Sequence, residues 1–190
     1  MQKVTVLNPS IAGQAADAPL APQLGRLRDM KIAFVDNSKV NADLFLSRIR
    51  PLLEEKYGAC AGVTLRKLAP KDVLSGFDLE QLAEHDAVIQ CFGDCGTSTS
   101  MTVADGVTLE RMGIPTATVI STAFSAAARA QAAGRGMGNL PIVEIPHPMH
   151  TAPRAAVYER AEAVVSNLVA ALTQRTDANR APTEERLPLE

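Results

Sequence analysis

An α/β fold is predicted for this chain: a three-layer Rossmann-like (flavodoxin-like), mostly parallel sheet with helices on both faces. Three observations predict it. Short apolar runs rich in β-branched residues recur along the chain, as expected of buried strands. Longer segments with apolar residues at 3.6-residue spacing separate them, and strands alternating with helices imply parallel pairing covered on both faces. Finally, 190 residues suffice for one domain that buries roughly 70% of its unfolded surface.

Residues 3–7 alternate as a short strand that ends at Asn8-Pro9, and an Ala-, Pro- and Gly-rich irregular arm follows to about residue 29. The arm is expected to pack on the main domain or on a partner subunit. The domain itself is expected over 30–173. It begins with a buried strand at 31–35, then a turn at 36–39. A helix follows with Ala42, Leu44, Phe45, Leu46, Ile49, Leu52 and Leu53 on one stripe. Pro51 falls inside that stripe, so a kink or restart is expected there. Asn37 or Ser38 suits the helix cap.

A second strand is read at 63–68, with Cys60 in the loop before it, and a short helix at 79–85 ends in a surface His85. The strand at 87–92 leads through a Gly-rich turn into a helix over about 98–112. Gly113-Ile114-Pro115 stops that helix ahead of the strand at 116–120. An alanine-rich helix follows at 123–133. The glycines 134, 136 and 138 form a loop rather than a dinucleotide fingerprint, because no strand precedes them. The last strand at 141–145 is broken by Pro146-His147-Pro148, and a final helix spans about 152–172. The polar stretch 174–190 reads as a disordered tail.

Composition narrows the function. With 46% hydrophobic residues, 21% charged and a net charge of -2, no basic footprint suggests nucleic acid or anionic membrane. No Trp, two Tyr and five Phe argue against a base-stacking surface. No apolar run approaches the ~20 residues of a membrane span, and the first residues lack a secretory pattern. Three irregularly spaced cysteines make no disulfide framework. The expectation is a cytoplasmic enzyme that keeps its thiols reduced, with a small-molecule substrate and a homodimer as default assembly.

In parallel α/β sheets, ligands bind outside the carboxyl ends of the strands. The turns at 36–39, 93–100, 121–124 and 146–149 all follow strands and should meet at that edge. Cys95 is the candidate nucleophile. It sits between Gly93 and Gly96 where a strand turns into a helix, and open amides with the helix dipole favour a thiolate. Gly96, Thr97 and Ser98 would hold an anionic group, with Thr122 contributing from the neighbouring turn. Asp94, adjacent to Cys95, is a carboxylate that would point away, pair with Lys39 or move a proton. His147, between two prolines, suits acid/base work, and His150 is a weaker form of the same argument. Asn37, Ser38 and Lys39 would orient a carboxylate or phosphate. Cys91 reads as a core residue. Cys91, Cys95, His147 and His150 match no compact zinc spacing, so no metal is expected, and no organic cofactor is implied.

The segment Gly93-Asp94-Cys95-Gly96-Thr97-Ser98-Thr99-Ser100 resembles the signature of the UGSC family, Gly-Asp-U/C-Gly-Ser-Cys-Thr-Ser, where U is selenocysteine. The resemblance includes Asp36-Asn37-Ser38-Lys39-Val40-Asn41, Leu109-Glu110-Arg111-Met112-Gly113-Ile114-Pro115 and Pro146-His147-Pro148. It spans about residues 30–170. A more distant likeness is to the selenoprotein B subunit of glycine and betaine reductases, whose chalcogen is alkylated by an activated substrate. The resemblance implies that Cys95 takes the selenocysteine position, while Ser98 replaces the second cysteine. A dithiol cycle needs a resolving thiol nearby. A single thiolate that forms and releases a covalent adduct fits this chain better.

The expected function is therefore a cysteine-dependent enzyme acting on a small anionic substrate, by substitution, elimination or hydrolysis at an activated bond. Two alternatives stand beside it. One is proton transfer or decarboxylation of the aspartate/glutamate racemase type. The other is a subunit of a reductase-type redox complex that passes its adduct to a partner protein.

Overall fold

The structure is a computed structural model and describes residues 17–174. Its order is β1 (Lys31–Asp36), α1 (Ala42–Tyr57), β2 (Cys60–Arg66), α2 (Gly76–Leu82), β3 (Ala87–Gly93), α3 (Gly96–Arg111), β4 (Thr116–Ser121), a 3-10 turn (Thr122–Phe124), α4 (Ser125–Gly134), β5 (Ile142–Ile145) and α5 (Arg154–Thr173). The five strands pair in parallel in the order β2-β1-β3-β4-β5. That is the flavodoxin-like order, with its topological switch between β1 and β3. The sheet is thus wholly parallel, and the Rossmann-like class holds.

Right-handed crossovers explain the layers. The step from β1 to β2 runs opposite to the later steps, so α1 lies on one face and α2, α3 and α4 on the other. The last helix, α5, returns to pack beside α1. The core follows this division. Phe34, Phe45, Ile49, Ile89, Val157, Val164 and Leu168 lie in the α1/α5 layer. Val35, Val88 and Leu109 pack under α2 and α3, and Val103, Ile120 and Ala132 between α3 and α4. Gly106 lets α3 come close to the sheet. A Cβ there would stand 2.6 Å from Thr118 Oγ1 and 2.7 Å from Gln90 Nε2, a buried pair of polar side chains bonded to each other.

Several expectations need correction. α1 does not restart at Pro51: one helix runs through it, and Leu52 and Leu53 on its far side are buried in the core, packing that outweighs one lost backbone bond. Its N-cap is Asn41, not Asn37 or Ser38. The second strand starts earlier than expected and takes in Cys60, which is its exposed first residue. Pairing with β1 from Lys31↔Cys60 onward fixes that start, and this edge strand has little hydrophobic alternation to reveal it. α2 also starts earlier, at a capping box between Ser75 and Asp78. His85 is not a free surface residue. Its Nδ1 bonds to Gln81 O at 3.0 Å and its Nε2 accepts from the Val63 N–H at 3.1 Å, so it braces β2.

The described part of the arm lies on its own domain. Ala18 N–H donates to Gly136 O, Ala21 N–H to the buried Glu110 carboxylate, and Leu24 N–H to Leu172 O. The strand expected at 3–7 and the tail from 175 onward lie outside the described residues. No helix of the described residues is long and apolar enough to cross a membrane.

Candidate active site

The four strand-following turns converge at the carboxyl edge. Asn37 N–H donates to Cys91 O at 3.0 Å and Asn37 Nδ2 donates to Phe92 O at 2.5 Å, fastening the end of β1 to that of β3. Ser121, at the end of β4, lies 3.1 Å from His147 Nδ1. Both cis peptide bonds recorded among the described residues, Cys91–Phe92 and His147–Pro148, are at this edge.

Cys95 is the N-cap of α3, and its sulfur does what a cap oxygen usually does. The Sγ accepts the Ser98 N–H at 3.4 Å, and the Ser98 hydroxyl lies 3.1 Å from it. That hydroxyl also accepts the backbone N–H groups of Cys95 and Asp94, at 3.2 and 3.1 Å. Partial burial pushes the thiol pKa up. The Ser98 hydroxyl, the Ser98 N–H and the Lys39 ammonium outweigh it and hold Cys95 below the ordinary thiol value. Ser98 itself is fully buried. It stands behind the sulfur as its hydrogen-bond partner, while Gly96 and Thr97 are exposed at the mouth. Space in front of Gly96 is open, with no atom within 4 Å of where a Cβ would sit.

Asp94 turns away from Cys95 and into the protein, where it is 2% exposed. Its Oδ1 lies 3.0 Å from His147 Nδ1, and its Oδ2 lies 2.6 Å from His150 Nδ1. It also accepts the backbone N–H groups of Met149, at 3.2 Å, and His150, at 3.0 Å. Burial would raise its pKa. Hydrogen bonds from the His150 side chain and backbone, Ser121 and Met149 win, and lower it to about 2. A buried carboxylate bonded to Nδ1 fixes the tautomer and orientation of each imidazole and leaves Nε2 as the ring atom able to face a substrate. Phe124 packs edge-on to the His147 ring, with centroids 5.6 Å apart.

The other expected residues have distinct places. Lys39 is half-buried beside the thiol. Ser38 has φ 67 and donates its hydroxyl to Lys67 O. Asn37 is buried, with Nδ2 on Phe92 O and Oδ1 accepting from Lys39 N–H at 3.2 Å, so it organises the loop from within. Thr122 is exposed and accepts the His147 N–H at 3.3 Å. Cys91 is buried against Val35 O at 3.7 Å. Burial pushes its pKa well up, and the charges of Asp36 and Asp43 add to this. It is a core thiol. Among the described residues no cluster of His, Cys, Asp and Glu has the geometry of a metal site.

Sequence reasoning gave too little weight to His150 and missed three residues that hold the histidine loop. Ser121 lies against His147. Arg160 of α5 donates to Pro148 O at 2.7 Å and Pro146 O at 3.4 Å. Asn41 donates to Met149 O and Ala152 O. Only the His147-x-x-His150 spacing offered a signal in the chain, since the rest depends on contacts between distant segments.

Comparison with known proteins bears on the chain at family level. A search of curated proteins finds no match. The family model described as the UGSC family, however, matches residues 5–174. That range holds the Cys95 turn, the Lys39 loop and the histidine loop, and the chain belongs to the UGSC family.

Proposed function

We propose that this protein is an enzyme in which Cys95, as a thiolate, forms a covalent adduct with a small anionic substrate. The observation that carries the reading is the pair of contacts to one sulfur from the Ser98 hydroxyl and the Ser98 N–H, and the nearby Lys39 charge lowers the thiol pKa further. The substrate's anionic group lies over the first turn of α3, at Gly96 and Thr97, within reach of Lys39. The sulfur attacks an activated carbon, so a C–S bond forms as the bond to the leaving group breaks. The leaving group departs with that electron pair and takes a proton from an imidazole Nε2 of His147 or His150. In the second half-reaction the same imidazole accepts a proton from water, and the resulting hydroxide displaces the sulfur. Asp94 stabilises the charged imidazole in each half. Such chemistry fits a thiol-reducing compartment, the cytoplasm.

A second reading draws on the two imidazoles that share the carboxylate of Asp94, the residue before Cys95. Proton transfer at an activated carbon needs acid and base groups side by side, and this cluster supplies them. The two readings part on the product: a covalent thioether or thioester on Cys95, or solvent deuterium incorporated at carbon with no adduct.

The test is the pH dependence of Cys95 alkylation by iodoacetamide, followed by intact-protein mass spectrometry. Cys60 is exposed, so the experiment uses a Cys60→Ser background with Cys60→Ser/Cys95→Ser as control. The expected midpoint lies below the ~8.5 of an unperturbed thiol. Lys39→Met and Ser98→Ala should each raise it by about one unit, the equivalent of ~1.4 kcal/mol of lost thiolate stabilisation. A midpoint at or above the ordinary value would sink the thiolate mechanism.

A further inference from the structure

Asn41 is a residue of the Lys39 loop that the proposed chemistry leaves unused, and its geometry is odd for its position. It is the N-cap of α1, yet its side chain makes no cap hydrogen bond. Asparagine is among the best N-caps because its side-chain oxygen accepts from the helix's open amides with the backbone extended. Here the backbone instead sits at φ 73, in the left-handed region. The side chain turns away from its own helix. Nδ2 donates to Met149 O at 2.8 Å and to Ala152 O at 3.0 Å.

Those two carbonyls flank His150. The same loop is held from the sheet side by Asp94, which accepts the Met149 and His150 N–H groups. At the other end of the short loop, Ser38 also has positive φ and is tied to Lys67 O. Lys39 is therefore presented between two left-handed residues. One is anchored to the connection after β2 and the other to the histidine loop.

We infer that Asn41 is a positioning residue. It gives up its helix cap to lock the Lys39 loop to the His147/His150 loop, so that the cation beside the thiol and the imidazole pair are held in one register. The inference rests on the thiolate reading above and extends it: the two halves of the site come from segments over a hundred residues apart, and Asn41 joins them directly. Asp94 ties the histidine loop to the Cys95 turn, through its carboxylate on that loop and its N–H on the Ser98 hydroxyl, and none of these bonds reaches the Lys39 loop.

Two variants test it in the full chain with Cys60→Ser. Asn41→Gly keeps the left-handed backbone and removes the amide. Asn41→Asp keeps the size and the backbone tolerance but cannot donate to the two carbonyls. The readouts are the pH midpoint of Cys95 alkylation and amide hydrogen exchange over residues 146–152. If Asn41 couples the halves, both variants raise the midpoint by about half a unit or more and speed exchange in the loop by about tenfold. Movement of only one readout, or of neither while thermal stability falls, would overturn the coupling and leave Asn41 as an ordinary loop residue. A shifted wild-type midpoint that neither variant moves defeats this inference alone. A wild-type midpoint at the ordinary thiol value defeats the nucleophile reading and the inference together.

Discussion

Asp94 and Ser98 share a logic at the level of single residues: each spends its side chain on a neighbour rather than on solvent. Asp94 is a buried carboxylate with donors from His147, His150 and Met149 around it, and its pKa is lowered to about 2. A carboxyl depressed on folding contributes stability that is present above its unfolded pKa, near 4, and lost as pH falls through its folded value. Between pH 5 and pH 2, wild-type stability should therefore fall by roughly 2 kcal/mol more than that of Asp94→Asn, as read from urea midpoints. The variant should be less stable at neutral pH, because an amide nitrogen then faces donors. Equal acid sensitivity in the two proteins would refute this account of Asp94. Cys95 was legible from the glycine-flanked turn, and Lys39 from its place at a helix start. The direction of Asp94 was not, since nothing in the residues near it says that a loop beginning fifty residues later will supply its donors.

Elements were legible wherever the hydrophobic period was strong. The buried strands β1, β3 and β4 and the helices α1 and α5 declare themselves through apolar runs and 3.6-residue stripes. The edge strand β2 was legible only from residue 63, three residues after its start, because it has no fully buried face. Its geometry depends instead on one close contact. The register with β1 shifts between Ile32 and Phe34. Opposite that shift sits Gly62, where a Cβ would stand 2.2 Å from His85 Cδ2 and 2.9 Å from Ile32 O. Gly62→Ala should cost about 1–3 kcal/mol, the usual penalty for overpacking. Adding His85→Ala removes the nearer obstacle but also the brace on Val63, so the double variant should lose less than the two singles combined. Urea denaturation of the four proteins closes that cycle, and strict additivity would argue against the contact.

At the scale of the whole molecule, the layers are joined by polar contacts as well as by the core. Lys67, just after β2, and Asp105, in the middle of α3, form a 2.6 Å ion pair with both side chains buried. Asp105 also accepts the Leu74 N–H at 2.9 Å, closing the connection between β2 and α2. Burial pushes the Asp105 carboxyl up even with Lys67 beside it, as expected where desolvation consumes much of the attraction. Losing one partner strands the other charge. Asp105→Leu or Lys67→Met alone should thus cost about 3–5 kcal/mol, whereas Lys67→Met/Asp105→Leu should recover most of that loss, short of wild type by the ~1–3 kcal/mol of an unpaired Leu74 N–H. Thermal denaturation of the three variants decides it, and a double variant no more stable than either single would contradict the prediction.

Local patterning in the chain is enough to dictate a parallel α/β sheet, the carboxyl edge as the place for a site, and Cys95 at a helix start, because periodicity and turn chemistry act over a few residues. The family signature is local in the same way. Which groups surround that cysteine is a matter of long-range contact. The His147–Asp94–His150 cluster, the Asn41 strap and the Lys67–Asp105 pair each join segments tens of residues apart. Their partners are chosen by how the layers pack, and only the folded chain brings them within hydrogen-bond reach.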